Sequence, residues 1–113
     1  GDGALIRSLV AMGLSCTKSY DIEPQSGDID VLDALVLEES HLGSADMIIT
    51  NPPWERSILH PMINNFSDLR PTWLLFDSDW IHTRQSTPFL PRLRKIVSIC
   101  RQRQCLLVLI RPP

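Results

Sequence analysis

The chain has 113 residues, of which 43% are hydrophobic and 21% are charged. This composition is that of a folded globular protein and excludes a disordered or low-complexity chain, and the length suits one domain with one core. The longest apolar run, residues 105–110, is far shorter than the roughly 20 residues that a membrane-spanning helix needs. We therefore expect a single domain over residues 1–113.

The net charge of −2 conceals an uneven distribution of charge along the chain. Residues 1–50 contain two basic and nine acidic residues, whereas residues 51–113 contain nine basic and four acidic ones. This asymmetry indicates different partners for the two halves, with a polyanion as a candidate for the second.

Cysteine usage favours a reducing compartment. The three cysteines, Cys16, Cys100 and Cys105, are an odd number and form no C-x-x-C pair. This pattern disfavours a disulfide framework and a zinc site, and we expect three buried thiols. No basic and apolar leader opens the chain, so the expected localisation is cytoplasmic.

Four segments are predicted in the first half of the chain. Apolar residues at helical spacing predict a helix over residues 4–12 that ends at Gly13. Residues 16–22 are predicted to form a strand, and residues 29–37 a strand or a short helix. Residues 46–50 have an apolar centre too short for a helix, which predicts a compact buried strand.

The second half continues the alternation of helix and strand. Residues 58–66 predict a helix, in which Pro61 is acceptable only in the first turn. Residues 72–76 predict another buried strand, and residues 96–100 and 105–110 predict an antiparallel hairpin around a polar turn. The pattern predicts an α/β fold whose sheet is mostly parallel and has an antiparallel edge.

The tetrapeptide Asn51-Pro52-Pro53-Trp54 follows the predicted strand 46–50 directly. Open α/β sheets bind their ligands at the carboxyl ends of strands. The side-chain oxygen of Asn51 and the main-chain carbonyl of Pro52 can accept hydrogen bonds from the two N–H groups of an exocyclic amino group, which exposes the nitrogen lone pair. Consecutive prolines fix that carbonyl, and Trp54 offers a flat face to a base taken out of its stack. The alternative is a rigid strand-to-helix turn with Trp54 as a core anchor.

With these residues, the chain resembles the S-adenosylmethionine-dependent amino-methyltransferases, especially the phage and bacterial adenine-specific DNA methylases. The resemblance covers residues 1–99. It implies a Rossmann-like methyltransferase sheet, mostly parallel with a C-terminal antiparallel hairpin. The family has a first strand before its Gly-rich loop and a longer segment between its last two strands. This chain begins on the loop itself, so we expect a truncated methyltransferase domain that lacks the first strand.

The resemblance also implies a binding site for S-adenosylmethionine. The Gly-rich loop of the family, in which glycines allow the backbone to approach the methionine part of the cofactor, matches the first three residues of this chain. Asp21 matches an acidic residue that binds the ribose hydroxyls, and Asp33 matches one that contacts the cofactor's adenine. The full set of matching cofactor positions is Gly1, Asp2, Gly3, Asp21, Ile22 and Asp33.

The resemblance thus implies methyl transfer to the exocyclic amino group of adenine in DNA, with Asn51, Pro52, Pro53 and Trp54 as the catalytic residues. Methylation of RNA or of a protein glutamine amide remains an alternative, since an amide presents a similar pair of N–H bonds. Another alternative is an inactive remnant that acts as a binding or oligomeric module through exposed sheet edges.

The remaining charged and titratable side chains carry weaker signals. His41 and His60 are predicted at the surface. Asp77 and Asp79 lie near a histidine in sequence but show no metal-ligand spacing, so a polar strand end is expected there. Basic residues of the second half would contact phosphates or form a solvated basic face. These are Arg92, Arg94, Lys95, Arg101, Arg103 and Arg111.

Overall fold

The computed structural model describes residues 3–21, 30–98 and 105–113. The chain divides into two compact units, Gly1–Ala45 and Asp46–Pro113, which are described separately below. The single domain inferred from the length stays a prediction. Within the described ranges, no helix has both the length and the apolar character needed to cross a membrane.

The first unit contains short elements. Helix α1 (Ala4–Ala11) is followed by Gly13 with φ +93°, a left-handed conformation that favours glycine, so the helix and its stop signal are confirmed. Two short parallel strands, β1 (Tyr20–Asp21) and β2 (Asp30–Val31), lie within the segments predicted at residues 16–22 and 29–37. The elements are α1 (Ala4–Ala11), β1 (Tyr20–Asp21), β2 (Asp30–Val31), a 3₁₀ helix (Ala34–Val36) and α2 (Glu39–Leu42).

Among the described residues of the first unit, few side chains are buried. The hydroxyl of Tyr20 donates a hydrogen bond to the carbonyl of His41 at 2.6 Å, and their rings meet edge to face. Leu37 and Leu42 are the buried hydrophobic residues described in this unit. Cys16 is exposed and its thiol lies 3.4 Å from the Lys18 carbonyl, so the prediction of a buried Cys16 is wrong. Residues 14–19 have no regular secondary structure and residues 11–18 are exposed, which leaves the thiol in solvent.

The second unit is a mixed four-stranded sheet with helices in its connections. The strand order is β3 (Ile48–Thr50), β4 (Thr72–Asp77), β6 (Cys105–Ile110) and β5 (Leu93–Ser98). β3 and β4 are parallel, and β6 runs antiparallel to both of its neighbours. Three strands therefore share one direction and β6 opposes them. The elements are β3 (Ile48–Thr50), α3 (Arg56–Leu69), β4 (Thr72–Asp77), two 3₁₀ helices (Ser78–His82 and Arg84–Arg92), β5 (Leu93–Ser98) and β6 (Cys105–Ile110).

The antiparallel pairing of the last two strands is confirmed, and the predicted turn at residues 101–104 lies outside the described residues. The reversed strand was expected at the edge of the sheet and lies inside it. β6 is apolar throughout, and Val108 and Ile110 are fully buried. β5 is exposed along five of its six residues and carries Arg94 and Lys95. A strand that is apolar on both faces is stabilised between two others, whereas charged side chains are tolerated at an edge. The mixed α/β class is therefore observed, and the finer methyltransferase topology stays a prediction.

Helix α3 packs on the sheet through one face. Leu59, Met62, Ile63 and Phe66 are buried and recur at the i, i+3, i+4 and i+7 spacing of an amphipathic helix. Pro61 lies in the second turn of this helix and not in the first turn as expected. Its ring is exposed, so it is accommodated on the solvent side at the expense of one backbone hydrogen bond. The core of the unit is formed by Leu59, Ile63, Leu74, Trp80, Val108 and Ile110.

Candidate active site

The Asn51-Pro52-Pro53-Trp54 motif connects β3 to α3 at the carboxyl end of β3. β3 ends at Thr50, which lies opposite Leu74 of the parallel strand β4. β4 continues to Asp77, three residues beyond this register position. The motif therefore begins where a parallel pair of strands ends, which is where open α/β sheets bind ligands.

The first three residues of the motif differ in their exposure. Asn51 is exposed, Pro52 is buried and Pro53 is exposed. The buried pyrrolidine ring of Pro52 anchors the loop, and the fixed φ of two consecutive prolines restricts the intervening peptide. The Asn51 amide is accessible to a substrate, while the Pro52 main chain is held in place beside it.

Trp54 is held by hydrogen bonds at its ring and at its main chain. Its indole Nε1–H donates to the main-chain carbonyl of Leu75 in β4 at 3.1 Å. Its own carbonyl accepts from the guanidinium of Arg56 at 3.0 Å. The residue nevertheless keeps 37% of its surface exposed. Trp54 is thus anchored to the sheet but is not part of the core.

An acidic turn follows β4 at the same edge of the sheet. Asp77 ends β4, and its Oδ1 accepts a hydrogen bond from the backbone N–H of Asp79 at 3.1 Å. This contact caps the 3₁₀ helix Ser78–His82. Among the described residues, no group of three or more His, Cys, Asp or Glu side chains is placed to hold a metal ion.

A cluster of His60, Trp80 and Phe89 joins α3 to the 3₁₀ helices that follow β4. The Trp80 indole N–H donates to His60 Nε2 at 3.0 Å, and the His60 and Phe89 rings lie 4.6 Å apart. Burial, and then the nearby Arg56, lower the pKa of His60. The imidazole is neutral, because Nε2 accepts a hydrogen bond and therefore carries no proton.

The position of His60 corrects the prediction of a surface histidine. His60 lies three residues before Ile63 and so borders the buried face of α3. The helical spacing of the sequence could therefore have predicted its partial burial. Its partner Trp80 is twenty residues away along the chain, and no local pattern reveals that pairing.

The predicted cofactor residues lie in the first unit or outside the described residues. Gly1, Asp2 and Ile22 lie outside the described residues, and Asp21 ends β1. Gly3 precedes α1 with φ +88°. Asp33 is exposed, and its Oδ1 accepts a hydrogen bond from the backbone N–H of Leu35 at 2.9 Å, so it caps the 3₁₀ helix Ala34–Val36. The four motif residues and Asp77 are brought to one sheet edge in the second unit.

The basic side chains considered as phosphate contacts are not equivalent. Arg92 donates to Ser67 Oγ at 2.8 Å and to Asp68 Oδ1 at 2.7 Å, which ties the end of α3 to the start of β5. Arg94 donates to the carbonyls of Pro91 and Pro112. Lys95 and Arg111 are exposed, and Arg101 and Arg103 lie outside the described residues. Arg92 therefore forms a structural ion pair with Asp68.

No protein-family model, curated protein or solved structure matches this chain.

Proposed function

We propose that this protein transfers a methyl group from S-adenosylmethionine to the exocyclic amino group of adenine in DNA. The observation that carries the proposal is the placement of Asn51-Pro52-Pro53-Trp54 at the carboxyl end of β3, with Asn51 exposed, Pro52 buried and Trp54 held against β4. A Rossmann-like methyltransferase sheet is the corresponding fold. The mixed sheet, in which three strands share one direction and the C-terminal hairpin is antiparallel, supports it.

The chemistry of the motif suits an amino group of low nucleophilicity. The lone pair of the adenine amino nitrogen is delocalised into the ring. The Asn51 side-chain oxygen and the Pro52 carbonyl would accept hydrogen bonds from the two N–H groups of this amine. These bonds would draw the nitrogen toward tetrahedral geometry and expose its lone pair. Because the methylated amine is a strong acid until it loses a proton, no strong base is required and water can accept that proton.

The first unit supplies one observation that fits a cofactor loop. Gly3 adopts φ +88° directly before α1, a conformation that glycine adopts without strain and that allows a ligand to approach the backbone. Gly3 would hold the methionine part of S-adenosylmethionine, and Asp21 and Asp33 its ribose and adenine. The cofactor would supply a methyl group bound to a sulfonium, which leaves a neutral thioether after transfer.

The role of Asn51 is tested by Asn51→Ala, with Asn64→Ala as the matched control on the exposed face of α3. Transfer of labelled methyl groups from S-adenosylmethionine to unmethylated plasmid DNA should fall by about 100-fold or more in Asn51→Ala, since one preorganised polar contact to the reacting group is lost. Asn64→Ala should match the wild type. Full activity in Asn51→Ala would refute the role of Asn51.

Calorimetry with S-adenosylmethionine separates an enzyme from an inactive remnant. The wild type and Asn51→Ala should bind the cofactor equally, because Asn51 is assigned to the substrate. Absence of binding at millimolar ligand would favour the remnant.

DNA, RNA of the same sequence and a glutamine peptide should be compared as acceptors. DNA is expected to be preferred over the peptide, because residues 51–113 carry nine basic and four acidic residues.

A further inference from the structure

The hydrogen bond between Trp54 and Leu75 lies where the pairing of two parallel strands ends. The last register pair of β3 and β4 is Thr50 with Leu74. The indole N–H of Trp54 donates to the carbonyl of the next residue, Leu75, at 3.1 Å. A side chain of the loop thus bonds to the main chain of the neighbouring strand directly beyond the paired positions.

This bond limits what the indole can offer to a substrate. Tryptophan has one polar hydrogen in its ring, and in Trp54 that hydrogen is committed to Leu75. The ring therefore has only its π surface available for a ligand, consistent with 37% of the residue being exposed. Stacking depends on the alignment of two planes, and a ring that is already held loses less conformational entropy when a base stacks on it.

A second contact restrains the same residue from the helix side. The Arg56 guanidinium donates to the Trp54 carbonyl at 3.0 Å. The main chain of Trp54 is thereby tied to the first residue of α3, while its ring is tied to β4. Trp54 is therefore restrained at its ring and at its main chain before any ligand binds.

We propose that the main-chain carbonyl of Leu75 positions Trp54 as a preset stacking surface for the target base. This inference rests on the proposed function. Leu75 acts through Trp54 and is a positioning group, and the indole N–H makes tryptophan superior to other aromatic residues at this position. A phenylalanine ring would keep a stacking face but would lose the bond that orients it.

The first measurement uses the wild-type protein without substrate. Indole N–H groups are resolved in NMR spectra of protein labelled with ¹⁵N-tryptophan, and the Trp54 signal is assigned by its loss in Trp54→Phe. The proposal expects slower hydrogen exchange for this N–H than for a free indole. Exchange at the rate of a free indole would overturn the proposal.

The second measurement compares steady-state methylation of plasmid DNA by the wild type, Trp54→Phe and Trp54→Ala. Loss of one orienting hydrogen bond should lower kcat by about tenfold in Trp54→Phe and leave KM for DNA within about twofold. Trp54→Ala, which also loses the stacking face, should be slower still. Trp73→Phe in β4 makes the same chemical change outside the motif and should leave kcat unchanged.

The outcomes separate this inference from the proposed function. A wild-type kcat in Trp54→Phe, beside an active wild type, overturns the positioning role and leaves methyl transfer intact. A wild type that transfers no methyl group to DNA refutes the proposed function, and the role of Leu75 in it fails as well. Slow indole exchange together with a lower kcat in Trp54→Phe supports both.

Discussion

The substitution Trp80→Phe removes the hydrogen bond that joins α3 to the segment after β4. Trp80 is fully buried, and its indole N–H donates to His60 Nε2 at 3.0 Å. Phenylalanine keeps an aromatic ring in the core beside Phe89 but has no donor. We therefore expect the second unit to lose stability without losing its fold.

Two terms set the expected size of the effect. The hydrogen bond contributes about 1 kcal/mol to the free energy of unfolding. The smaller ring leaves a void of roughly 40 Å³, which costs about 1 kcal/mol at about 24 cal/mol per Å³ of cavity. Trp80→Phe should therefore lower the free energy of unfolding by about 2 kcal/mol, which corresponds to a fall in Tm of roughly 10 °C.

Urea unfolding of a double-mutant cycle measures the coupling between the side chains of His60 and Trp80. The four proteins are the wild type, Trp80→Phe, His60→Ala and the double variant. A coupling energy of about 1 kcal/mol is expected between positions 60 and 80. Additive effects within error would show that the two side chains do not interact, and this would refute the account of the cluster.

Two further predictions concern α3. Because burial and Arg56 lower the pKa of His60 from its ordinary value of 6.5, the unfolded chain takes up a proton first as the pH falls. The contribution of His60 to the free energy of unfolding should therefore be fully present above about pH 6.5 and decrease as the pH falls toward the pKa of the folded state. In urea titrations at several pH values, His60→Gln should show a flatter pH dependence than the wild type. Parallel curves for the two proteins would contradict this. Pro61→Ala should raise the free energy of unfolding by about 1 to 3 kcal/mol, because alanine restores a backbone N–H to the second turn of α3, and an unchanged or lower urea midpoint would argue against that reason.

Local patterns predicted most elements of the second unit. The strand predicted at residues 46–50 contains the shorter β3, and the one predicted at 72–76 lies in β4. The helical spacing over 58–66 lies inside α3. Burial agrees with the prediction in α3 and at Leu74 of β4. β3 is only half-buried along its length and Met47 is exposed, so the prediction of a buried strand at residues 46–50 is wrong in its burial. The position of the motif at the end of β3 could likewise be predicted, since it depends on the adjacent strand only.

Contacts between distant residues could not be predicted from those patterns. The bonds from Trp54 to Leu75 and from Trp80 to His60 join residues about twenty positions apart, and the placement of β6 between β4 and β5 is a choice of strand partner. Periodicity describes which face of an element is apolar but does not specify the element that covers it. The exposure of Cys16 is a similar case, because its residue type favours burial but its segment is exposed on both sides of it.

The most direct test of the central claim is the identity of the methylated product. Unmethylated DNA is incubated with the wild-type protein and S-adenosylmethionine, digested to nucleosides and analysed by mass spectrometry. The account predicts N6-methyladenine in the wild-type reaction and in Asn64→Ala, and its loss in Asn51→Ala. Absence of any methylated nucleoside with the wild type, or an equal yield of N6-methyladenine with Asn51→Ala, would contradict it.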